Sequence, residues 1–148
     1  MGTRGETNLD EEMLQRLVMA ARDAATRAYA PYSSFPVGSA VLTEDGTIAA
    51  GANIENASYG LTVCGERSAV FRAVADGHRE IRAVVVSAPK APGTTPCGAC
   101  RQVLNEFKPA SGDMIVILDR GEQASPEITT LSELLPESFG PHDLNERE

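Results

Sequence analysis

Cys97 and Cys100 stand three residues apart in Thr94-Thr95-Pro96-Cys97-Gly98-Ala99-Cys100-Arg101, and they are two of only three cysteines in the 148-residue chain. On a helix that spacing puts both side chains on one face with Cβ atoms about 5–6 Å apart, close enough for two thiolates to grip one tetrahedral zinc. Pro96 suits a first helical position, which sets both sulfurs near the positive end of the helix dipole, where thiolate is favoured over thiol. Two buried cysteines serving as small apolar residues, or a thioredoxin-like redox pair, have the same spacing. The third cysteine shifts the balance. Cys64 opens another helical stretch in Thr62-Val63-Cys64-Gly65-Glu66-Arg67, and two helix starts can converge on one ion. Three ligands leave a tetrahedral zinc one open position, which separates a catalytic site from a closed structural one.

Glu66 and Arg67 follow directly. Glu66 can bracket the same cavity and reach a water there without binding the metal; its plainer role is a first-turn carboxylate facing the helix dipole. Three thiolates around a divalent ion leave a net negative charge, so something positive must compensate. Arg67, one turn from Cys64, can offer its guanidinium to the sulfurs, although an isolated Arg also suits a solvated helix face. A closed, non-catalytic zinc module would need a fourth ligand, and only His78 and His142 could donate an imidazole.

These residues need a scaffold. Leu14, Leu17, Val18, Ala21, Ala24, Ala25 and Ala28 recur at helical spacing, predicting an amphipathic helix over about 9–29, with Asn8-Leu9-Asp10-Glu11 offering a cap and a carboxylate three residues on. The prolines and serines of Ala30-Pro31-Tyr32-Ser33-Ser34-Phe35-Pro36 predict a loop, and Glu44-Asp45-Gly46 a hairpin turn between strands over 37–43 and 47–52. Helices are expected over 64–75 and 97–107, with strands over 81–86 and 114–118. Strand, helix, strand implies a parallel pair. A brief strand near Ile128 and a capping box at Thr130-Leu131-Ser132-Glu133 complete the chain. The sum is one α/β domain over 1–148: a three-layer αβα sandwich around a mixed sheet of about five strands, with a short flexible start (about 1–8) and a polar tail (about 142–148).

Bulk properties narrow the function. Thirteen basic against twenty-one acidic side chains give a net charge of −8, which repels a polynucleotide. No apolar run approaches a membrane span, and the start Met1-Gly2-Thr3-Arg4-Gly5-Glu6-Thr7-Asn8 has neither a signal-peptide core nor a myristoylation pattern. An odd number of cysteines suits a reducing compartment better than a disulfide framework. A cytoplasmic protein acting on a small molecule is the expectation.

Taken together, Cys64-Gly65-Glu66 and Pro96-Cys97-Gly98-Ala99-Cys100 resemble the signature of the zinc-dependent cytidine deaminases of the small, tetrameric type. Ala30–Gly38 and Gly51–Ala57 also resemble family segments, so the likeness runs over about 13–140. It implies one zinc per chain on Cys64, Cys97 and Cys100, and hydrolytic deamination of cytidine and deoxycytidine in pyrimidine salvage. Glu66 would move the protons, and Arg67 would support the sulfurs. By the same resemblance Phe35 packs on the pyrimidine, Asn53 and Glu55 bind ribose hydroxyls, backbone groups at Gly65 hold the base, and Phe139 enters a neighbour's active site in a homotetramer. Glu55 near the sugar would favour a nucleoside over a nucleotide. A sister deaminase acting on another aminopyrimidine is the nearest enzymatic alternative. The family usually has Ala where this chain has Gly65, and the missing methyl is expected to loosen the site.

Overall fold

The computed structural model describes residues 9–110 and 112–144. The expected flexible start lies outside them, as does the tail beyond 144; within that tail, Pro141–Leu144 forms a 3₁₀ turn rather than a frayed end. Helix α1, Glu11–Ala25, opens where Asp10 turns extended and its Oδ1 accepts the Met13 N–H at 2.8 Å, so Asp10 is the cap. The helix stops earlier than its periodicity suggests because Tyr29 is drawn into strand-like pairing. Its N–H donates to the Asn53 carbonyl at 3.0 Å, and its own carbonyl accepts the Glu55 N–H at 2.9 Å.

The hairpin strands β1, Gly38–Thr43, and β2, Ile48–Ala52, pair antiparallel, with Ala40 opposite Ala50. Helix α2 is Gly65–Ala75, β3 Ile81–Ser87, α3 Gly98–Asn105, β4 Ile115–Leu118, β5 Glu127–Thr130 and α4 Leu131–Leu134. The sheet order is β2-β1-β3-β4-β5. β3 and β4 run parallel, as the strand-helix-strand pattern requires, and the other pairs are antiparallel.

Alternation along each strand builds the layers. Ala40 and Leu42 of β1, Ala83 and Val85 of β3 and Ile117 of β4 face Leu17, Val18 and Ala21 of α1. Val41, Val84, Val86, Val116 and Leu118 face the other way, onto Ala69, Val70 and Ala73 of α2 and Leu104 of α3. Burying a Leu or Val side chain contributes about 1.5–3 kcal/mol, so a one-residue slip of register would expose a whole face. This is the α/β architecture expected, a five-stranded mixed sheet with helices on both faces. Gly51 lets α2 lie directly on β2: a Cβ there would sit 2.6 Å from the Ala69 nitrogen. That close approach sets the depth of α2, and with it the residues at its start.

At the ends of the parallel strands Asp119 gathers three elements. Arg22 of α1 donates Nε and Nη2 to its two carboxylate oxygens, each at 2.8 Å, and Ser87 Oγ donates at 2.8 Å. The Asp119 carbonyl accepts the Gly93 N–H at 2.8 Å, anchoring the loop that leads from β3 to α3. Burial pushes the Asp119 carboxyl up, but the bonds from Arg22, the Gly121 N–H and Ser87 outweigh it and hold it below the ordinary carboxylate range. With the folded value depressed, this group stabilises the protein above its unfolded pKa, about 3.9, and the contribution disappears as pH falls through the folded value. Asp119→Ala removes the bonds to Arg22, Ser87 and Gly121 and leaves a part-exposed guanidinium without its carboxylate; it is expected to cost about 2 kcal/mol, measured by denaturant unfolding at neutral pH. The difference between the two proteins should shrink in strong acid, below the unfolded carboxylate pKa.

Candidate active site

Cys64 and Cys97 occupy the cap positions of α2 and α3, both extended and neither with its side chain spent on a capping bond. Pro96 therefore lies just outside the helix rather than within its first turn. Cys100 sits fully buried on the first turn of α3. The three Sγ atoms lie within 4.8 Å of one another, and Cys97 and Cys100 Sγ are 3.5 Å apart. Two sulfurs bound at about 2.3 Å to a tetrahedral zinc stand about 3.8 Å apart, inside that range and far beyond a disulfide bond length. The cysteines are free thiols, and among the described residues this group of three includes no fourth metal-binding side chain. His78 stands 3.8 Å from Asp45, and His142 pairs with its neighbour Asp143.

The electrostatics of the cluster suit a metal. Hydrogen bonding from Cys100, set against burial, and the adjoining Arg67 draw Cys64 down to about 5. Cys100 moves up, because its proton bonds to Cys64 and its site is buried. Arg67 donates Nη2 to Cys64 Sγ at 3.2 Å, while its Nε is buried without an acceptor. A guanidinium turned onto sulfur is what an anionic metal-thiolate centre calls for. Glu66, two residues after Cys64, is only 4% exposed. Burial raises its carboxyl to about 7, opposed by its own backbone N–H and reinforced by Cys64.

Three extended segments run side by side next to the thiols. Ile54 exchanges both backbone hydrogen bonds with Val63 at 2.9 Å, and the Asn53 N–H donates to the Val37 carbonyl at 3.1 Å. This pairing ties the segments that carry Phe35, Asn53 and Glu55 to Val63, the residue before Cys64. Asn53 and Glu55 are already engaged. Asn53 accepts the Val37 N–H on Oδ1 and donates Nδ2 to the Phe35 carbonyl, both at 2.9 Å. Glu55 accepts the Tyr32 N–H at 2.9 Å, the Ser33 N–H at 3.1 Å and the Ser33 hydroxyl. The Ser33 hydroxyl above all keeps Glu55 below its ordinary pKa, so the group stays ionised. A carboxylate has about four acceptor sites and a side-chain amide four hydrogen-bonding positions, so each retains capacity for another partner. Ser33 escaped the sequence reading; its signal is a hydroxyl two residues before Phe35 in a turn.

Gly65 behaves differently from the expectation. A Cβ there would lie 2.9 Å from the Val37 carbonyl oxygen and 3.5 Å from the Ala52 Cα, against backbone, so the missing methyl opens no room at the thiols. Gly65→Ala is expected to destabilise the protein by about 1–3 kcal/mol in denaturant unfolding, because β1 and the loop before it must move. Gaining stability from the better helix former would contradict this. Phe139 has a 58% exposed side chain, and its carbonyl is held by Gln102 Nε2 at 2.9 Å and Asn105 Nδ2 at 3.0 Å, both on α3.

A mixed sheet that sets three thiols and a buried carboxylate at two helix starts defines an open metal centre. Residues 11–116 match the family described as "Cytidine and deoxycytidylate deaminase zinc-binding region". The chain is 46% identical to the cytidine deaminase of Sporosarcina psychrophila over 89% of this chain and 95% of that one. It is 47% identical to that of Halalkalibacterium halodurans over 93% of this chain and all of the relative. The crystal structure of cytidine deaminase from Burkholderia pseudomallei superimposes with a TM-score of 0.77 at 42% identity, covering 84% of this chain and 98% of that one. The chain belongs to the cytidine and deoxycytidylate deaminase family. It is a zinc-dependent enzyme with one ion per chain as its cofactor.

Proposed function

We propose that this protein converts cytidine, and deoxycytidine, to uridine or deoxyuridine and ammonia by hydrolysis, with zinc held by Cys64, Cys97 and Cys100. The observation that carries this reading is the meeting of three thiols at two helix starts with buried Glu66 alongside. When bound, zinc supplies the Lewis acidity that makes water nucleophilic near neutral pH. Glu66 takes a proton from the attacking water as its oxygen joins C4 of the base, and passes that proton to N3. The second proton reaches the amino group through the same carboxylate, and ammonia departs as the C4–N bond breaks. Burial keeps Glu66 close enough to neutrality to give as well as take a proton.

Phe35 packs against the pyrimidine, backbone groups at Gly65 hold its edge, and the remaining capacity of Asn53 and Glu55 goes to the ribose hydroxyls. Ionised Glu55 disfavours a 5′-phosphate, which makes the substrate a nucleoside; efficient turnover of cytidine monophosphate would overturn that part. Arg67 offsets the charge of the thiolates.

The chain reads as one domain, built on one sheet. A homotetramer is supported by an apolar rim: Tyr29, Tyr32, Ile54, Tyr59, Leu61 and Phe71 are each at least 49% exposed, more than an isolated surface explains. Phe139, pinned by its backbone with its ring outward, would reach a neighbour's site in that assembly. Among the described residues no helix is long and apolar enough to cross a membrane. Cytoplasmic pyrimidine salvage is the setting proposed for the reaction. The test is conversion of cytidine to uridine by purified protein with and without a zinc chelator, beside deoxycytidine and other aminopyrimidines. Chelator-sensitive cytidine turnover is expected; turnover of another aminopyrimidine alone would overturn the substrate assignment.

A further inference from the structure

Cys97 caps α3 with extended backbone and no side-chain capping bond, so something else must fix the peptide on which the metal thiols turn into the helix. Arg101, the residue after Cys100, does so. Its side chain folds back along the helix, as long side chains do. Nε donates to the Pro96 carbonyl at 2.7 Å, Nη2 to Thr95 Oγ1 at 3.3 Å, and Nη1 to the Leu134 carbonyl at 2.7 Å. Leu134 ends α4, so that carbonyl is one of the unpaired acceptors a helix leaves at its C-terminus.

Helix stability does not account for this arrangement. A cation drawn toward a helix start faces the positive end of the dipole and is disfavoured there. Two separate chain segments, the strap before Cys97 and the end of α4, meet on one planar guanidinium. A lysine could place one ammonium there but could not hold the fork.

We infer that Arg101 is a positioning residue for the metal centre: by bridging the Pro96 and Leu134 carbonyls it locks the Cys97 peptide and so sets the grip of Cys97 and Cys100 on the ion. The inference rests on the zinc assignment made above. The hydrogen bonds of Gln102 and Asn105 to the C-terminal segment reach Phe139 and Ser138, not the residues before Cys97. Among the described residues, the side-chain hydrogen bonds that join the metal strap to that segment are those of Arg101.

The test uses the zinc-loaded full chain, unmodified and as Arg101→Lys, mixed with excess colorimetric chelator, and the cobalt-loaded forms read by their thiolate charge-transfer and d–d bands. Release of zinc from Arg101→Lys should be about 10–100-fold faster, the usual loss when a group supporting a ligand is removed, with the cobalt bands shifted. kcat for cytidine should fall while KM stays within about twofold, because the nucleoside contacts are elsewhere. Unchanged release and unchanged cobalt bands, even with a lowered Tm, would make Arg101 an ordinary structural tie and overturn the inference. If Arg101→Lys fails to fold, Thr95→Val removes one of the three acceptors and should speed release by a smaller factor; an unchanged rate overturns the inference equally. Zinc content and cytidine turnover of the unmodified protein are measured first. Absence of zinc there refutes the metal assignment, and this inference falls with it; a zinc-loaded, active protein whose variants release zinc normally refutes the Arg101 role alone.

Discussion

Glu66→Gln protein should retain one zinc per chain and lose cytidine turnover by at least about 10²–10⁴-fold, the range of a single general acid–base group. The amide preserves the volume of a side chain that is 4% exposed, so folding and metal content should be unaffected. It cannot carry a proton between water, N3 and the departing amine. The loss should appear in kcat, because the carboxylate acts on groups whose protonation changes during reaction rather than on bound substrate. Metal analysis on the same sample separates this from a binding defect. A variant that keeps zinc and turns over at near the unmodified rate would remove Glu66 from the mechanism.

Cys100→Ala is expected to remove both metal and activity. Cys100 is the fully buried member of the trio, at the first turn of α3, and its loss leaves two thiols for an ion that needs three protein ligands at a catalytic site. Zinc content should drop to a small fraction of one per chain and turnover to background. Stability should fall too, since a ligand bound only by the folded state contributes through its binding free energy. The denaturation midpoint of the unmodified protein should move toward that of Cys100→Ala when zinc is stripped by chelator. If the variant holds zinc stoichiometrically, Cys100 is not a ligand.

These two effects exceed the others because they strike the reacting groups themselves. Asp119 and Gly65 act through the scaffold, and their expected costs are measured in stability. Asp119 nonetheless bears on the site, since its carbonyl anchors the loop whose far end is Pro96.

Local physics was legible in the order of residues. The apolar run Ala40-Val41-Leu42 suits a strand buried on both faces, which α1 and α2 cover, and the helical recurrence from Leu14 to Ala28 marked α1, although the helix itself ends at Ala25. The spacing of Cys97 and Cys100, with Cys64 and Glu66 at another helix start, announced the metal chemistry. Only the tertiary structure decided which backbones approach one another. The chain order cannot say that Val37 places its carbonyl against Gly65, or that Asn53 and Glu55 spend most of their hydrogen bonds on the loop bearing Phe35. Nor can it say that Arg101 reaches Leu134. Periodicity encodes which face of an element is apolar, a property of neighbours in the chain. The choice of one carbonyl among many, and the meeting of Cys64 with Cys97, depend on sheet register and helix depth, which long-range packing sets.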